Sequence, residues 1–293
     1  MRSMLAVSAL GLIATFTAGT ASAGPYAAPT GDVRADLDAA ITTAERVHDD
    51  GRARALTALR GRRLLAFDAR GRGRAVEALG DLDTAGRIIV VVPGADNTLD
   101  VFDSPKFAGG AARNLYDQAR ADAPGERIAV VAWMGYDAPR TLSPAVLDDG
   151  RAREAAGLLE DFVSGLRAAR PAARFSLVCH SYGTVVCAKA AHAVQATDIA
   201  LAGSPGTTAS TVSGLRTSAR VWAGRSSGDW MDWIPNVRWL GLGFGQDPTA
   251  ASFGATVFPA GSNGHSGYFF AGGEALRSLS LISLGRGGEV RPV

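Results

Sequence analysis

A serine stands at the junction between an apolar run and a helical stretch in this 293-residue chain. Residues 175–179 have the pattern of a buried strand and lead through His180 to Ser181, Tyr182 and Gly183. A sharp turn from strand to helix raises the corner hydroxyl above the sheet edge, where it can attack a substrate. Such a turn needs small residues beside it, because strand and helix nearly touch there. The spacing therefore predicts Ser181 as a nucleophile.

A serine nucleophile needs an imidazole within hydrogen-bond reach as its general base, and the chain contains four histidines. His180 precedes the serine on an extended segment, so its side chain points to the opposite side of the backbone. His192 lies far along the predicted helix, roughly 16 Å from the corner. His48 belongs to a charged stretch that we interpret as a solvated helix face. The remaining candidate is His265, which lies in a glycine-rich loop after the predicted strands. When the chain order of a triad is nucleophile, acid, histidine, the base is expected in this part of the chain.

The acid that orients the histidine should follow the apolar run 220–224. Three aspartates qualify there: Asp229, Asp232 and Asp247. Asp229 comes first after the run, and the preceding glycine lets the loop turn inward. We therefore predict Asp229 as the acid, with Asp232 and Asp247 as the alternatives.

A loop that could stabilise an oxyanion follows the apolar run 88–92. It reads Pro-Gly-Ala-Asp-Asn over residues 93–97, and its glycine permits a tight turn. One backbone N–H of this loop and the N–H of Tyr182 would form the oxyanion hole. The spacing leaves open whether Ala95 or Asp96 donates. A simple turn after a strand is the alternative interpretation.

Four aromatic residues are candidates for the substrate-binding pocket. Trp133 and Tyr136 stand at the end of the apolar run 128–133, where pocket lining and core packing are equally consistent with the pattern. Trp230 and Trp233 follow the predicted acid and could form a lid or an acyl-binding wall. Ordinary packing of a long loop is the alternative for this second pair.

The surrounding pattern predicts an α/β fold. A helix is expected over 33–60, followed by an antiparallel hairpin of strands 64–68 and 73–79. Continuous apolar runs then alternate with helical stretches, which indicates a mostly parallel sheet with helices on both faces. The runs cover 88–92, 128–133, 175–179, 199–202 and 220–224, and the helices 111–121, 151–170 and 182–195. Ligands of such sheets bind beyond the carboxyl ends of the strands.

The first 23 residues have the pattern of a secretory signal peptide: Arg2, an apolar stretch over 4–16, and the small-residue site Ala-Ser-Ala before Gly24. We expect a linker over 24–31 and a single domain over 32–293. The apolar stretch is short for a membrane span, and no second long one follows. The mature chain is therefore expected to be secreted, with no integral membrane segment.

Charge and cysteine content exclude several classes of partner. A net charge of +2 is too small to indicate nucleic acid or an anionic membrane as the main partner. No spacing typical of metal ligands occurs, so neither metal nor cofactor is expected.

Cys179 and Cys187 flank the serine corner. A disulfide between them is the alternative in an oxidising compartment. We favour two separate buried cysteines, because strand–helix packing of about 10 Å does not readily give the Cα separation of under about 7 Å that a disulfide needs.

The motifs resemble a serine α/β-hydrolase family that is widespread in actinobacteria and long known only as a domain of unknown function. The resemblance extends over about 64–270. It implies an α/β-hydrolase fold with Ser181 as nucleophile and His265 as base; Cys179 departs from the glycine usual at its position. The matching segments are LAFD (65–68) with GRG (71–73), VPG (92–94), AWMGYDAP (132–139), HSYG (180–183), LAGSPG (201–206), DP (247–248) with FGA (253–255), and GHSGY (264–268).

Together these patterns predict a secreted serine hydrolase that cleaves a small-molecule or lipid ester through an acyl-enzyme. The alternatives are an acyltransferase or thioesterase with the same triad, and a catalytically silent hydrolase fold that serves as a binding module. The patterns leave the oligomeric state open.

Overall fold

The computed structural model describes residues 32–234 and 243–291. The predicted signal peptide and linker, residues 1–31, lie outside the described residues. No helix within the described ranges is both long and apolar enough to cross a membrane.

An eight-stranded sheet forms the centre of the described chain, in the order β1-β2-β4-β3-β5-β6-β7-β8. β1 and β2 form an antiparallel hairpin, and β2 also pairs antiparallel with β4. The strands from β4 to β8 in this order pair in parallel. The strands are β1 (Leu64–Asp68), β2 (Arg74–Leu79), β3 (Arg87–Val92), β4 (Ile128–Met134), β5 (Arg174–His180), β6 (Asp198–Ala202), β7 (Arg220–Gly224) and β8 (Thr256–Val257).

Helices cover both faces of the sheet because the central strands are apolar on both sides. The buried residues of α4 and α5 share one hydrophobic cluster with the sheet, and those of α1, α2, α3 and α6 share the cluster on the other face. The helices are α1 (Val33–Arg46), α2 (Asp50–Thr57), α3 (Ala108–Asp122), α4 (Gly150–Ala169), α5 (Tyr182–Ala190) and α6 (Glu274–Ser283). The predicted fold class, with its antiparallel hairpin and parallel sheet, is confirmed; β8 and α6 were not predicted.

The prediction of a single helix over 33–60 is wrong, because two helices occupy this stretch. The chain turns at His48, whose φ is +55°. Asp49 then caps α2, its carboxylate accepting from the Arg52 N–H at 3.0 Å. An aspartate in this role satisfies a free N–H at the start of a helix, which favours a new helix over continuation of the old one. His48 therefore lies in a turn and not on a helix face.

The prediction of two separate cysteines is also wrong. Cys179 on β5 and Cys187 on α5 form a disulfide, with their Cα atoms 6.4 Å apart. The close turn at Ser181 brings the middle of α5 nearer to β5 than ordinary strand–helix packing does. The disulfide therefore encloses the serine corner in a covalent loop.

Candidate active site

The backbone at Ser181 has the left-handed conformation of a sharp strand-to-helix turn. Ser181 lies between β5 and α5 with φ +54° and ψ −129°, a combination that is strained for a residue with a side chain. Two glycines make the turn possible. A Cβ at Gly94 would lie 2.6 Å from the Ser181 Cβ, and one at Gly183 would lie 2.5 Å from the Pro93 carbonyl oxygen. The serine hydroxyl is thereby fixed at the carboxyl edge of the sheet.

Ser181, His265 and Asp229 form a continuous hydrogen-bonded chain. The His265 Nε2 lies 2.9 Å from the Ser181 Oγ, and its Nδ1 lies 2.9 Å from one Asp229 oxygen and 3.1 Å from the other. A carboxylate can only accept, so Nδ1 carries the proton and Nε2 accepts from the serine hydroxyl. This arrangement can remove the serine proton as the oxygen attacks.

The Asp229 carboxylate is buried and accepts hydrogen bonds from three directions. Besides His265, the Met231 amide donates to it at 2.9 Å and the Tyr268 hydroxyl at 2.6 Å. Burial acts to raise the pKa of Asp229, but the bond from His265, the charge of that ring and these two donors together hold the pKa below its usual value. The carboxylate is therefore ionised and fixed in orientation.

The two alternative aspartates are held by Arg225 instead. The Nη1 of Arg225 lies 2.9 Å from Asp232 and 2.7 Å from Asp247, and its Nη2 donates to the Ser204 carbonyl at 3.2 Å. Arg225 therefore joins the connection after β6 to two parts of the connection between β7 and β8. Neither Asp232 nor Asp247 bonds to His265 within the described chain.

Of the two loop amides proposed for an oxyanion hole, only that of Ala95 is available. The Asp96 N–H donates to the Pro139 carbonyl at 2.9 Å, which corrects the expectation that it could serve as a donor. The Ala95 N–H has no hydrogen-bond partner within the described residues. Tyr182 is the first residue of α5, so its N–H points out of the helix start. Ala95 and Tyr182 thus supply two amides beside Ser181.

Tyr136 and Asn97 hold the loop that carries Ala95 through hydrogen bonds to its backbone carbonyl oxygens. The Tyr136 hydroxyl donates to the Pro93 carbonyl at 2.7 Å, and the Asn97 Nδ2 donates to the Gly94 carbonyl at 3.1 Å. Burial is the first cause of the raised pKa of Tyr136, so its hydroxyl stays protonated. Tyr136 therefore positions the loop and does not line the cleft.

Only one of the four aromatic candidates lines the cleft. Trp133 is fully buried and packs against Tyr136 and Phe162, so core packing, the alternative for this pair, is correct. Trp230 lies at the cleft with its ring centroid 4.9 Å from that of His265. Trp233 is 85% exposed and does not belong to the cleft wall.

His180 and Tyr268 are two further residues of the site, and the sequence patterns did not predict a role for either. The His180 Nε2–H donates to the His265 carbonyl at 2.8 Å, and the two imidazole centroids are 4.9 Å apart. Burial, and then the charge of His265, lowers the pKa of His180 to about 3. Their positions in the sequence motifs could have indicated a role. His180 is one residue before Ser181, and Tyr268 is three residues after His265.

The cleft above Ser181 has a volume of about 200 Å³. Its wall comes from the loops after β3, β4 and β7 and from the histidine loop, all at the carboxyl edge of the sheet. The lining residues include Ala95, Lys106, Phe107, Thr141, Trp230 and His265. A larger groove of about 740 Å³ lies between α1 and β1, away from the serine.

The family model described as alpha/beta hydrolase matches residues 68–239, more than half of the chain. The chain belongs to the alpha/beta hydrolase family. Its resemblance to an actinobacterial group without assigned function is confirmed by two relatives. An uncharacterized protein of Mycobacterium tuberculosis is 33% identical over 261 residues, 76% of this chain and 39% of the relative. An uncharacterized protein of Mycobacterium bovis is 36% identical over 162 residues, 52% of this chain and 60% of the relative.

This alpha/beta hydrolase chain spans about two-fifths of the length of the first relative, 39%. Among solved structures, esterase PE8 aligns with a TM-score of 0.49 at 15% identity, covering 71% of this chain and 96% of that one. The Bacillus cereus carboxylesterase aligns with a TM-score of 0.46 at 11% identity, covering 73% and 94%.

Proposed function

We propose that this alpha/beta hydrolase is a serine esterase that cleaves a carboxylic ester through an acyl-enzyme on Ser181. The observation that carries the proposal is the position of the His265 ring, which reaches the Ser181 Oγ with one nitrogen and Asp229 with the other, each at 2.9 Å. This geometry fixes the imidazole tautomer that can accept the serine proton. The strained turn at Ser181 and the free amide of Ala95 are further support.

In the proposed reaction, the Ser181 Oγ attacks the ester carbonyl carbon while its proton moves to the His265 Nε2. The negative charge that develops on the carbonyl oxygen is stabilised by the amides of Ala95 and Tyr182. The tetrahedral intermediate collapses as His265 returns the proton to the leaving alcohol. A water molecule, deprotonated by the same nitrogen, then releases the acid and restores the serine. Asp229 remains ionised throughout and stabilises the imidazolium.

We further propose that the protein is exported, with cleavage between Ala23 and Gly24. The signal-like pattern of residues 1–23 is the first support. The second is the disulfide between Cys179 and Cys187, since disulfides persist mainly in oxidising compartments outside the cytosol. N-terminal sequencing of the protein recovered from culture medium tests this: a start at Gly24 supports it, and retention of Met1 in a cytosolic fraction contradicts it.

Labelling with a fluorophosphonate probe tests the proposed nucleophile. The wild-type protein should bind one probe molecule, and mass spectrometry should locate it on Ser181. Ser181→Ala should abolish labelling, whereas Ser210→Ala, which removes an exposed hydroxyl outside the cleft, should label normally. Probe on Ser204 or Ser266, or an unlabelled wild-type protein that hydrolyses no p-nitrophenyl ester, would refute the proposal.

A further inference from the structure

The chain has two lysines among its 30 basic residues, and their surroundings differ. The Lys189 Nζ is 2.6 Å from an oxygen of the buried Asp149. Lys106 is exposed and makes no ion pair with any described residue. The residues outside the described ranges contain no aspartate or glutamate side chain that could pair with it. Lys106 is therefore a cation that no acidic side chain of this protein neutralises.

Lys106 belongs to the wall of the cleft that contains Ser181. Its Nζ lies 4.8 Å from the ring centroid of Phe107, a second residue of that wall. A cation over an aromatic face is held there by the charge distribution of the ring. The charge also reaches the inner part of the site, since it contributes to the low pKa of His180 after burial and the charge of His265. The ammonium group is thus part of the electrostatic field of the cleft.

The acidic groups near the cleft are already engaged by other partners. The Asp96 carboxylate accepts from the Thr141 amide at 3.1 Å and from the Thr141 hydroxyl at 2.6 Å, and the Arg72 guanidinium lies 4.0 Å from it. Asp229 lies buried beneath His265, with its oxygens bonded as described above. Lys106 consequently presents an unpaired positive charge to any molecule that enters the cleft.

We propose that Lys106 selects ester substrates that carry an anionic group, a carboxylate in the simplest case, on the acyl or the alcohol part. This inference rests on the proposed esterase function and specifies its substrate class. A positive charge on the wall of a cleft raises the local concentration of an anionic substrate. A compact ammonium group can pair with such an anion from several directions, because it does not require the two-pronged geometry of arginine. Lys106 is therefore a specificity-determining residue.

Two pairs of chromogenic esters test the proposal and separate the two possible positions of the charge. For the acyl part, p-nitrophenyl hydrogen glutarate is compared with p-nitrophenyl pentanoate. For the alcohol part, the butyrate of 3-carboxy-4-nitrophenol is compared with p-nitrophenyl butyrate. The readout is the ratio of kcat/KM for the anionic and the neutral ester of each pair. In at least one pair, Lys106→Met should lower this ratio about fivefold, as expected for a partly exposed ion pair.

Two control variants and one change of salt concentration accompany this measurement. Lys106→Arg keeps the charge and should retain most of the ratio. Arg174→Gln removes one exposed positive charge at the opposite edge of the sheet, where β5 begins, and should leave the ratio at its wild-type value. The wild-type ratio should fall at about 1 M salt, where the screening length is about 3 Å. An equal ratio in wild type and Lys106→Met for both pairs would overturn the proposal.

A binding measurement distinguishes failure of this inference from failure of the esterase proposal. Ser181→Ala is titrated calorimetrically with monomethyl glutarate and with dimethyl glutarate, and the titrations are repeated with Ser181→Ala/Lys106→Met. Tighter binding of the monoanion that disappears with Lys106 supports the anion site even if the wild-type protein hydrolyses no ester. Identical binding of the monoanion by both variants refutes the anion site even if the wild-type protein is an active esterase.

Discussion

Two imidazole rings lie side by side next to Ser181, but their environments give them opposite properties. His180 is 7% exposed, and burial lowers its pKa to about 3. His265 reaches the cleft surface and bonds to Ser181 and Asp229 through its two nitrogens. The rings are only 4.9 Å apart. His180 remains a neutral donor, whereas His265 is placed to accept and return a proton.

This difference shows that residue type and proximity to Ser181 do not by themselves place an imidazole where it could act as a base. His180 is adjacent to Ser181 in sequence, yet its Nε2 is occupied by the His265 carbonyl. His265 is distant in sequence and has a carboxylate behind it and a hydroxyl in front of it. The buried ring supports the backbone of the reactive one. The following variants test this division of roles, beginning with the largest expected effect.

Removing the reactive imidazole should nearly abolish turnover. We expect His265→Ala to lower kcat/KM for p-nitrophenyl butyrate by about 10⁶, because loss of the histidine in such a triad costs about as much as loss of the whole triad. The matched control is His192→Ala, which removes an exposed imidazole outside the cleft and should leave kcat/KM within about twofold. Comparable losses in the two variants would show that His265 has no special role.

Removing the charge behind the reactive imidazole should have the next largest effect. Asp229→Asn should retain the fold but lower kcat by about 10⁴, because the imidazole then adopts the wrong tautomer. Asp232→Asn, which alters a partner of Arg225, should lower kcat by less than about fivefold. Steady-state kinetics of the two variants provide the test. A large loss in Asp232→Asn with normal activity in Asp229→Asn would assign the role to Asp232.

Replacing the buried imidazole should have a smaller effect that depends on the replacement. His180→Leu leaves the His265 carbonyl without its donor, and we expect kcat/KM to fall roughly 10- to 100-fold as the base becomes less well positioned. His180→Asn offers an amide donor in a similar place and should recover part of this loss. Near-ultraviolet circular dichroism checks that both variants fold. Full activity of folded His180→Leu would exclude a positioning role.

The buried imidazole should also make stability depend on acid. The folded protein keeps His180 neutral down to about pH 3, whereas an unfolded chain protonates histidine below about pH 6.5. The unfolded state therefore binds more protons in this interval, and the free energy of unfolding decreases as the pH falls through it. The Tm of the wild-type protein should fall between about pH 7 and about pH 4. In His180→Asn, this fall in Tm should be smaller by about 5 °C. Calorimetry showing equal drops would contradict the assignment.

Much of the fold could be predicted from the sequence, because its strongest signals are local. The apolar run 88–92 predicts a strand buried on both faces, and β3 (Arg87–Val92) lies at the centre of the sheet. The pattern around Ser181 likewise places this residue between β5 and α5. β8 (Thr256–Val257) has only two residues, which is too short to produce a periodic pattern. Its position depends on pairing with β7 and not on its own composition.

The sequence by itself determined the sheet, the serine corner and the one histidine whose position suited a base. Tertiary structure decided which of several nearby groups face the site. Asp229 and Asp232 are three residues apart. The Tyr268 hydroxyl, distant in sequence, bonds to Asp229 beneath His265, whereas Arg225 at the end of β7 holds Asp232 away from that ring. In the same way, the Pro139 carbonyl occupies the Asp96 amide and leaves that of Ala95 free. Hydrophobic periodicity records which faces are buried, but the direction of a polar group in a loop is set by hydrogen-bond partners that only the folded chain brings near.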